Sequence, residues 1–251
     1  MVVKNGAKFS AHSGHPMFKK IVARVRRKAF GGIEKLFSFK DVIEKCFNVE
    51  IKNGEQLFYK GILVNNVLTQ KIIKSMADGT PYKPYVKLLN NLMQNPSALC
   101  REQLFNYIEK YGLAIDSNGW VYGYKAVDKN LVSKYDGKTK YAIGQATKVD
   151  RNKCATSETD ACGYGLHLGE TSYVLDYGRG DDRYLLLKFN PKDGISCPMD
   201  CSYKKLRVCS LVPIREVTRD QVAIPLADQY LGELKKKRKK KARTSPRKKS
   251  A

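Results

Sequence analysis

The sequence predicts an α+β fold, in which a helical layer is followed by a mostly antiparallel β-rich unit and by a disordered basic tail. Three observations lead to this prediction. Apolar residues recur at helical spacing before residue 113, short strand-like segments between turns dominate from residue 114, and the last residues are almost all basic. The predicted regions are a flexible basic leader with an amphipathic helix over 1–33, a helical region with one β-hairpin over 34–113, a β-rich region over 114–226 and a Lys/Arg-rich disordered tail over 227–251.

The first 33 residues contain eight Lys/Arg side chains and no acid. Residues 1–16 are rich in small, polar and turn-forming residues, and we expect a flexible leader whose His12 and His15 are solvated. Over Met17–Phe30, apolar residues at helical spacing lie opposite a cationic side, which predicts a basic amphipathic helix ended by a Gly-Gly pair. Such a helix is typical of a segment that lies on an anionic membrane surface, contacts phosphates or binds a partner, and an ordinary docking helix has the same pattern.

The region before residue 113 also contains the pattern of a hairpin. Asn53 and Gly54 both tolerate positive φ, so they predict a tight turn between strands at 49–51 and 56–59. Helical periodicity predicts four more helices here, over Phe39–Phe47, Gln70–Ala77, Pro84–Gln94 and Ala98–Tyr111.

The β-rich region is predicted from short apolar segments between turns. Tyr184–Phe189 is apolar at nearly every position, which is typical of a strand in the centre of a sheet. The other predicted elements are strands at Ala114–Ile115, Trp120–Val127 and Leu206–Val212, short strands near Tyr141–Ile143, a short helix over Tyr173–Tyr177 and a loop or edge over Arg215–Leu226.

The net charge of +23 is concentrated at the two ends of the chain. Residues 235–251 hold eleven Lys/Arg and the first 33 residues hold eight, so the middle has 47 − 19 = 28 basic and 24 acidic side chains. This near balance excludes a uniformly basic globule. No apolar run exceeds four residues and no signal-peptide core follows the basic N-terminus, so neither a membrane span nor secretion is expected. Seven cysteines at irregular spacing favour reduced intracellular thiols.

The basic ends are the strongest functional pattern in the sequence. Like charges at this density keep a tail unfolded and attract polyanions, either nucleic acid or an anionic membrane surface, whereas a purely solubilising tail would have no partner. The candidate polyanion-binding residues are Lys19, Lys20, Arg24, Arg26, Arg27 and Lys28 in the helix and Lys235, Lys236, Lys237, Arg238, Lys239, Lys240, Lys241, Arg243, Arg247, Lys248 and Lys249 in the tail.

A glycine-rich segment contains Cys162 and His167, and two further cysteines follow. Thiolate and imidazole are zinc ligands, which makes Cys162, His167, Cys197 and Cys201 weak metal candidates. Their spacing matches no common zinc site, so a packed set of reduced thiols is the preferred interpretation. Leu168 occupies a position where a dinucleotide fingerprint needs glycine, and the glycines are expected to form tight turns around His167. We therefore predict no catalytic residue, no cofactor and no small-molecule substrate.

Several segments resemble the bacteriophage rIIB protein family, over about residues 51–217. Each segment is short, but their order and spacing are distinctive. They are Leu-Met-Gln-Asn-Pro-Ser at 92–97, Tyr-Gly-Tyr-Lys-Ala-Val at 122–127, Cys-Gly-Tyr-Gly-Leu-His at 162–167, Lys-Phe-Asn-Pro-Lys-Asp-Gly-Ile-Ser at 188–196 and Leu-Arg-Val-Cys at 206–209. The family-motif residues, whose role the resemblance leaves unknown, are Arg151, Cys162, Gly163, Gly165, His167, Arg207 and Cys209.

The resemblance implies an early viral accessory protein without established catalysis. It implies an rIIA-like protein partner at the host inner membrane and protection of the infection from host or prophage exclusion. The expected location is the host cytoplasm, peripheral to membrane or nucleoid, or the nucleus or virion if the host is eukaryotic. Two alternatives stay open: a DNA-binding packaging or virion protein that uses the basic tail, and a metal-dependent or cysteine/histidine enzyme centred on His167.

Overall fold

The computed structural model describes residues 1–11, 13, 15, 17–38, 44, 49–52, 56–64, 66–78, 80–224 and 226, with the backbone alone at residues 51, 66, 77, 200 and 201. Within this part of the chain, helices pack against antiparallel sheets, which confirms the predicted α+β fold. The predicted helix over Phe39–Phe47, apart from Glu44, and the basic tail lie outside the described residues.

The described residues of the N-terminal segment include regular structure, where the sequence predicted a flexible leader. Strands β1 (Val2–Lys4) and β2 (Ala7–Phe9) form an antiparallel hairpin, and helix α1 spans Phe18–Arg26. A salt bridge of 2.7 Å joins Lys4 to Glu34 in a short 3-10 helix, and this contact lowers the pKa of the Glu34 carboxyl.

His15 is also placed differently from the prediction. It is only 4% exposed, and its Nδ1 accepts a hydrogen bond from the Met17 amide at 3.1 Å, so it is not a solvated leader histidine. His12 lies outside the described residues.

The predicted hairpin and three of the predicted helices are present. Strands β3 (Val49–Lys52) and β4 (Gln56–Tyr59) pair antiparallel with Val49 opposite Tyr59, and a third strand, β5 (Ile62–Leu63), extends the sheet. The turn between β3 and β4 is outside the described residues. The helices are α2 (Asn66–Ala77), α3 (Lys83–Leu92) and α4 (Ala98–Lys110). Helix α4 begins where the Ser97 hydroxyl accepts a hydrogen bond from the Cys100 amide at 3.1 Å, since this pairs one of the free N–H groups of the first turn.

The second half of the chain forms a seven-stranded antiparallel sheet. Its strands are β6 (Val121–Val127), β7 (Thr147–Lys148), β8 (Leu166–Gly169), β9 (Arg183–Phe189), β10 (Gly194–Ser196), β11 (Lys205–Val208) and β12 (Ser210–Val217). Their order across the sheet is β10-β11-β8-β6-β9-β12-β7. Two short helices, α5 (Thr171–Tyr177) and α6 (Arg219–Ala223), accompany the sheet. The prediction of an interior strand near Tyr184 is confirmed, because β9 pairs on both sides.

Several predicted β elements differ from the structure. The segment Leu206–Val212 is two strands, because the chain turns at Cys209 between β11 and β12. Tyr141 is a core residue outside any strand, and the short strand lies at β7 instead. Ile115 forms a single bridge to Val121. The segment from Arg215, predicted as a loop or edge, continues β12 as an edge that pairs with β9 alone and then forms α6.

The helical layer and the large sheet share one hydrophobic cluster. Leu88 of α3 and Leu104 and Phe105 of α4 are fully buried in the same cluster as Leu187 and Phe189 of β9. Leu206 and Val208 of β11 belong to this cluster, so Arg207 between them lies on the other face of the strand, where the candidate functional site is found. The division of the chain at residues 33, 113 and 226 stays a prediction.

Candidate functional site

The side chain of Arg207 is the centre of a buried polar cluster. Arg207 on β11 lies opposite His167 on β8, and 0% of its surface is exposed. Burial of a guanidinium is costly unless its N–H groups find acceptors. The acceptors are His167 Nε2 at 3.2 Å, the carbonyl oxygens of Ala155 at 2.7 Å and Ser157 at 3.3 Å, Ser196 Oγ at 2.9 Å and the carbonyl oxygen of Asp160. These residues, named here the Arg207 cluster, attach the segment 155–160 to the sheet.

The contact with Arg207 fixes the protonation state of His167. A guanidinium only donates hydrogen bonds, so Nε2 of His167 is the acceptor and the ring proton is on Nδ1. Burial, together with the positive charges of Lys125, Arg207 and Lys205, lowers the pKa of His167 to about 3. The imidazole is therefore neutral near pH 7, and a thiolate–imidazolium pair with the exposed Cys162 does not match this electrostatic environment.

The two family glycines make room for the guanidinium. Gly165 has φ +144°, and a Cβ atom there would lie 2.7 Å from Arg207 Cγ and 2.8 Å from Arg207 Cδ. A Cβ atom on Gly163 would lie 2.3 Å from the Ala155 Cβ and 3.0 Å from Arg207 Nη2. The glycines thus allow close packing on Arg207, whereas the sequence predicted only tight turns around His167. The residues directly after Gly165 form strand β8.

The Gly165→Ala variant is expected to lower the free energy of unfolding by about 2–3 kcal/mol, because it adds both backbone strain and a clash with Arg207. Gly137→Ala is the matched control. Gly137 also has positive φ, at +62°, but a Cβ there would meet nothing within 4 Å. Gly137→Ala is therefore expected to lower the free energy of unfolding through backbone strain alone, by about 1 kcal/mol. Urea unfolding measures both, and equal losses would contradict a steric role for Arg207.

A second buried cluster lies where the helices meet the sheet, centred on Asn95. Asn95 follows α3 and is 1% exposed. Its Nδ2 donates to the carbonyl oxygens of Pro191 at 2.9 Å and Gly194 at 2.8 Å, and its Oδ1 accepts from the Ser97 amide at 3.0 Å and Arg151 Nη2 at 2.9 Å. The carboxamide therefore donates two hydrogen bonds and accepts two. A carboxylate or an apolar side chain of the same size could not make this set of contacts.

The family-motif residue Arg151 completes this Asn95 cluster. Its Nη2 also donates to the Gly194 carbonyl at 2.9 Å, its Nη1 donates to the Lys192 carbonyl at 2.9 Å, and Cys209 Sγ lies 3.8 Å from Nη1. The segments 92–97 and 188–196, which are far apart in the sequence, are therefore neighbours in the fold. Asn95 was not singled out from the sequence, where an Asn-Pro-Ser segment is typical of an ordinary turn.

The described thiols are free, and most of them are buried. Burial raises the pKa of Cys100 to about 12, and it also raises the pKa values of Cys154, Cys197 and Cys209. Protonated thiols are poor nucleophiles, and these four buried side chains pack within the fold. Cys162 is exposed, and its carbonyl oxygen accepts a hydrogen bond from the Tyr135 hydroxyl at 2.6 Å.

The weak metal candidates are not brought together in the part of the chain that the structure describes. Cys162 and His167 line one cavity, whereas Cys197 lines another beside Tyr107. Cys201 lies in the 3-10 helix Asp200–Tyr203, and its side chain is outside the described atoms. Among the described residues no three His, Cys, Asp or Glu side chains are grouped as metal ligands.

The basic helix carries most of its predicted cations on the surface. Lys19, Lys20, Arg26, Arg27 and Lys28 are exposed, and within the described ranges none of them forms a salt bridge. The eleven tail cations are outside those ranges. No helix in the described part of the chain has the length and apolar character that crossing a membrane requires.

Arg24 is the exception among the helix cations. It is partly buried, and its Nη1 donates to the Gly31 carbonyl at 2.8 Å, so it stabilises the turn after the helix. Helix α1 ends at Arg26, and Lys28 has φ +54°, so the helix ends before the Gly-Gly pair that was predicted to end it.

Comparison with known proteins gives a family assignment. The family described as Bacteriophage T4 protein rIIB matches residues 18–221, which include helix α1, the Asn95 cluster and the Arg207 cluster. Protein rIIB of Enterobacteria phage T4 is 28% identical over 177 residues, which are 70% of this chain and 57% of that relative, so the matched part is little more than half of the relative's length. No solved structure matches. The chain belongs to the bacteriophage T4 rIIB protein family.

Proposed function

We propose that this phage protein is a non-enzymatic accessory protein, held at an anionic membrane surface of the host cell by its two basic ends, where it acts with an rIIA-like partner against host exclusion. Family membership supports the accessory role. The surface of helix α1 is the observation that carries the proposed membrane attachment.

Helix α1 and the turn after it combine exposed cations with exposed apolar side chains. Val25 is 37% exposed and Phe30 is 43% exposed, beside the exposed residues Arg26, Arg27 and Lys28. At an anionic bilayer, apolar side chains enter the boundary between headgroups and acyl chains while the cations contact the headgroups. Duplex DNA would use the cations but would leave Val25 and Phe30 in water. The exposed pair therefore favours an anionic lipid surface over nucleic acid for this end of the chain.

The tail adds to the same attachment through charge. It supplies eleven Lys/Arg against no acid, while the middle of the chain is nearly neutral. Each basic residue near an anionic surface contributes about 1 kcal/mol, and this contribution is screened within a Debye length. Two attachments on one chain reinforce each other, because the second binds at the high effective concentration that the first creates.

The membrane proposal predicts a specific pattern of vesicle binding. Full-length protein is expected to bind phosphatidylglycerol vesicles and not phosphatidylcholine vesicles, with an affinity that falls as salt rises. Replacing Lys19, Lys20, Arg26, Arg27 and Lys28 by glutamine is expected to weaken binding at least about 100-fold. The matched control removes five exposed body lysines: Lys129, Lys138, Lys140, Lys153 and Lys192.

Two further variants separate lipid from nucleic acid. A Val25→Gln/Phe30→Gln variant is expected to lose vesicle affinity while its affinity for duplex DNA stays unchanged. Deletion of residues 235–251 is expected to weaken both. Equal losses from the helix variant and the lysine control would contradict attachment through α1. Tight DNA binding without vesicle binding would instead support the packaging or virion function.

The partner is tested by co-purification from infected cells. An rIIA-like protein is expected to be retained by the full chain in high salt, because a protein–protein contact through the nearly neutral body is less sensitive to screening than surface attachment. Loss of every co-purifying phage protein, under conditions in which the tagged chain is folded, would contradict the partner part of the proposal.

A further inference from the structure

A small cavity lies beside the Arg207 cluster, between strands β6, β8 and β11. Its volume is about 80 Å³, and its wall includes Lys125, Lys134, Tyr135, His167 and Lys205. This space holds on the order of five water molecules, the number of heavy atoms in a tetrahedral oxyanion. It is far smaller than the few hundred Å³ that organic ligands usually occupy. The cavity therefore fits a small ion or the end of a larger molecule.

Three of the residues that line the cavity are lysines: Lys125, Lys134 and Lys205. Lys125 Nζ donates to the His167 carbonyl at 2.9 Å and lies 4.9 Å from the centre of the Tyr141 ring. Lys205 Nζ donates to the Ala161 carbonyl. An ammonium has three N–H groups, so the contact that Lys125 makes with His167 leaves it further donor capacity.

His167 contributes a donor because of its tautomer. Since Nε2 accepts from Arg207, the proton is on Nδ1, for which the described hydrogen bonds include no protein acceptor. A neutral imidazole N–H on the wall of a cationic cavity is a suitable donor to an anion, because it adds a hydrogen bond without a further charge.

The charges around the cavity leave an excess of positive charge. Asp182 is in a salt bridge with Lys134, and Asp136, whose carboxylate accepts from the Lys138 and Thr139 amides, is the acid that acts on Lys125. The charged groups that act on His167 are Lys125, Arg207 and Lys205, all positive. An anion in the cavity would lower the cost of burying these cations together.

We propose that this cavity binds a tetrahedral oxyanion of the phosphate class, held by Lys125, Lys205 and the Nδ1–H of His167. The site is separate from the basic ends, so it does not depend on the proposed membrane attachment. The anion is either free phosphate or the phosphate group at the end of a larger molecule, with the rest of that molecule outside the cavity.

Imidazole ¹H–¹⁵N spectra of the full chain test the proposal, because the chain contains only three histidines. Inorganic phosphate, added at constant ionic strength against chloride, is expected to shift the His167 signal and to saturate below about 10 mM. The signals of His12 and His15 are expected to stay in place, which separates the cavity from phosphate bound at the basic ends. Glycerol 3-phosphate is the second arm: tighter binding than inorganic phosphate assigns the site to a phosphomonoester, and weaker binding assigns it to the free ion.

Lys125→Met is expected to weaken phosphate binding at least about tenfold, because it removes a charged donor. Lys125 is half-buried and its Nζ donates to the His167 carbonyl, so urea unfolding of this variant is measured beside its phosphate affinity. Lys129→Met, on an exposed lysine outside the cavity wall, is the matched control and is expected to bind phosphate as the natural chain does. A His167 signal that neither anion shifts, or equal affinity in the Lys125 and Lys129 variants, would overturn the proposal.

Discussion

Arg207→Met is expected to lower the free energy of unfolding by about 3–5 kcal/mol, the largest effect of any single substitution considered for this chain. The methionine fills much of the same space, so the loss comes mainly from polar groups that lose their donor. Those groups include the Ala155 and Asp160 carbonyls and the Nε2 of His167. Each buried acceptor left without a hydrogen bond costs about 1–3 kcal/mol. Urea unfolding, with the midpoint and the slope measured separately, gives the loss.

Arg183→Met is the control for this experiment. Arg183 also lies on a strand of the large sheet, but its 2.8 Å salt bridge with Glu216 is on the surface, with side chains 49% and 43% exposed. Exposed pairs contribute less than about 1 kcal/mol. Arg207→Lys is expected to fall between the two, because it keeps the charge but an ammonium cannot reach five acceptors. If Arg207→Met and Arg183→Met lower the free energy of unfolding equally, the Arg207 cluster does not stabilise the fold beyond an exposed salt bridge.

His167→Gln is expected to make the protein less sensitive to acid. An unfolded histidine titrates near pH 6.5, whereas the pKa of His167 in the folded chain is lowered to about 3 by burial and by Lys125, Arg207 and Lys205. Between these values the unfolded state binds a proton and the folded state does not, so the free energy of unfolding falls as the pH drops. At pH 3 the loss in free energy of unfolding that comes from His167 reaches about 5 kcal/mol.

Glutamine keeps an acceptor for Arg207 and does not titrate. The variant is expected to be somewhat less stable than the natural protein at pH 7.5 and more stable at about pH 4. Other acid-titrating groups, such as Asp136 and Asp182, are present in both proteins, so their contribution cancels in the difference between the two curves. Unfolding free energies measured over this pH range give that difference. Parallel curves would show that the pKa of His167 is the same in the folded and the unfolded chain, which contradicts a lowered pKa in the fold.

Elements whose pattern is local could be predicted from the sequence. The hairpin of β3 and β4 and the helices α3 and α4 follow from turn residues and helical spacing within a few residues. Strand β9 was recognised because its apolar run is complete within the strand itself. The three-residue strands β1 and β2 were missed because such short segments contain too little alternation to identify.

The candidate site was only partly predictable, because its residues depend on contacts between distant segments. Gly163, Gly165, His167 and Arg207 were all identified through the resemblance without a role, and the structure shows that the two glycines make room for the side chain of Arg207. The sequence also distinguishes Arg207 by its neighbours, because it lies between the apolar residues Leu206 and Val208. Lys125 and Lys205 gave no comparable pattern, since isolated lysines in strands are usually solvated.

The Asn95 cluster has a consequence for synthesis of the chain on the ribosome. Asn95 donates to carbonyl groups 96 and 99 residues further along. A nascent chain that ends before these carbonyls leave the exit tunnel has helices α3 and α4 but lacks the acceptors for the asparagine between them. Contacts of such sequence separation form late and slow folding. The native junction between helices and sheet thus forms only after most of the protein has been translated.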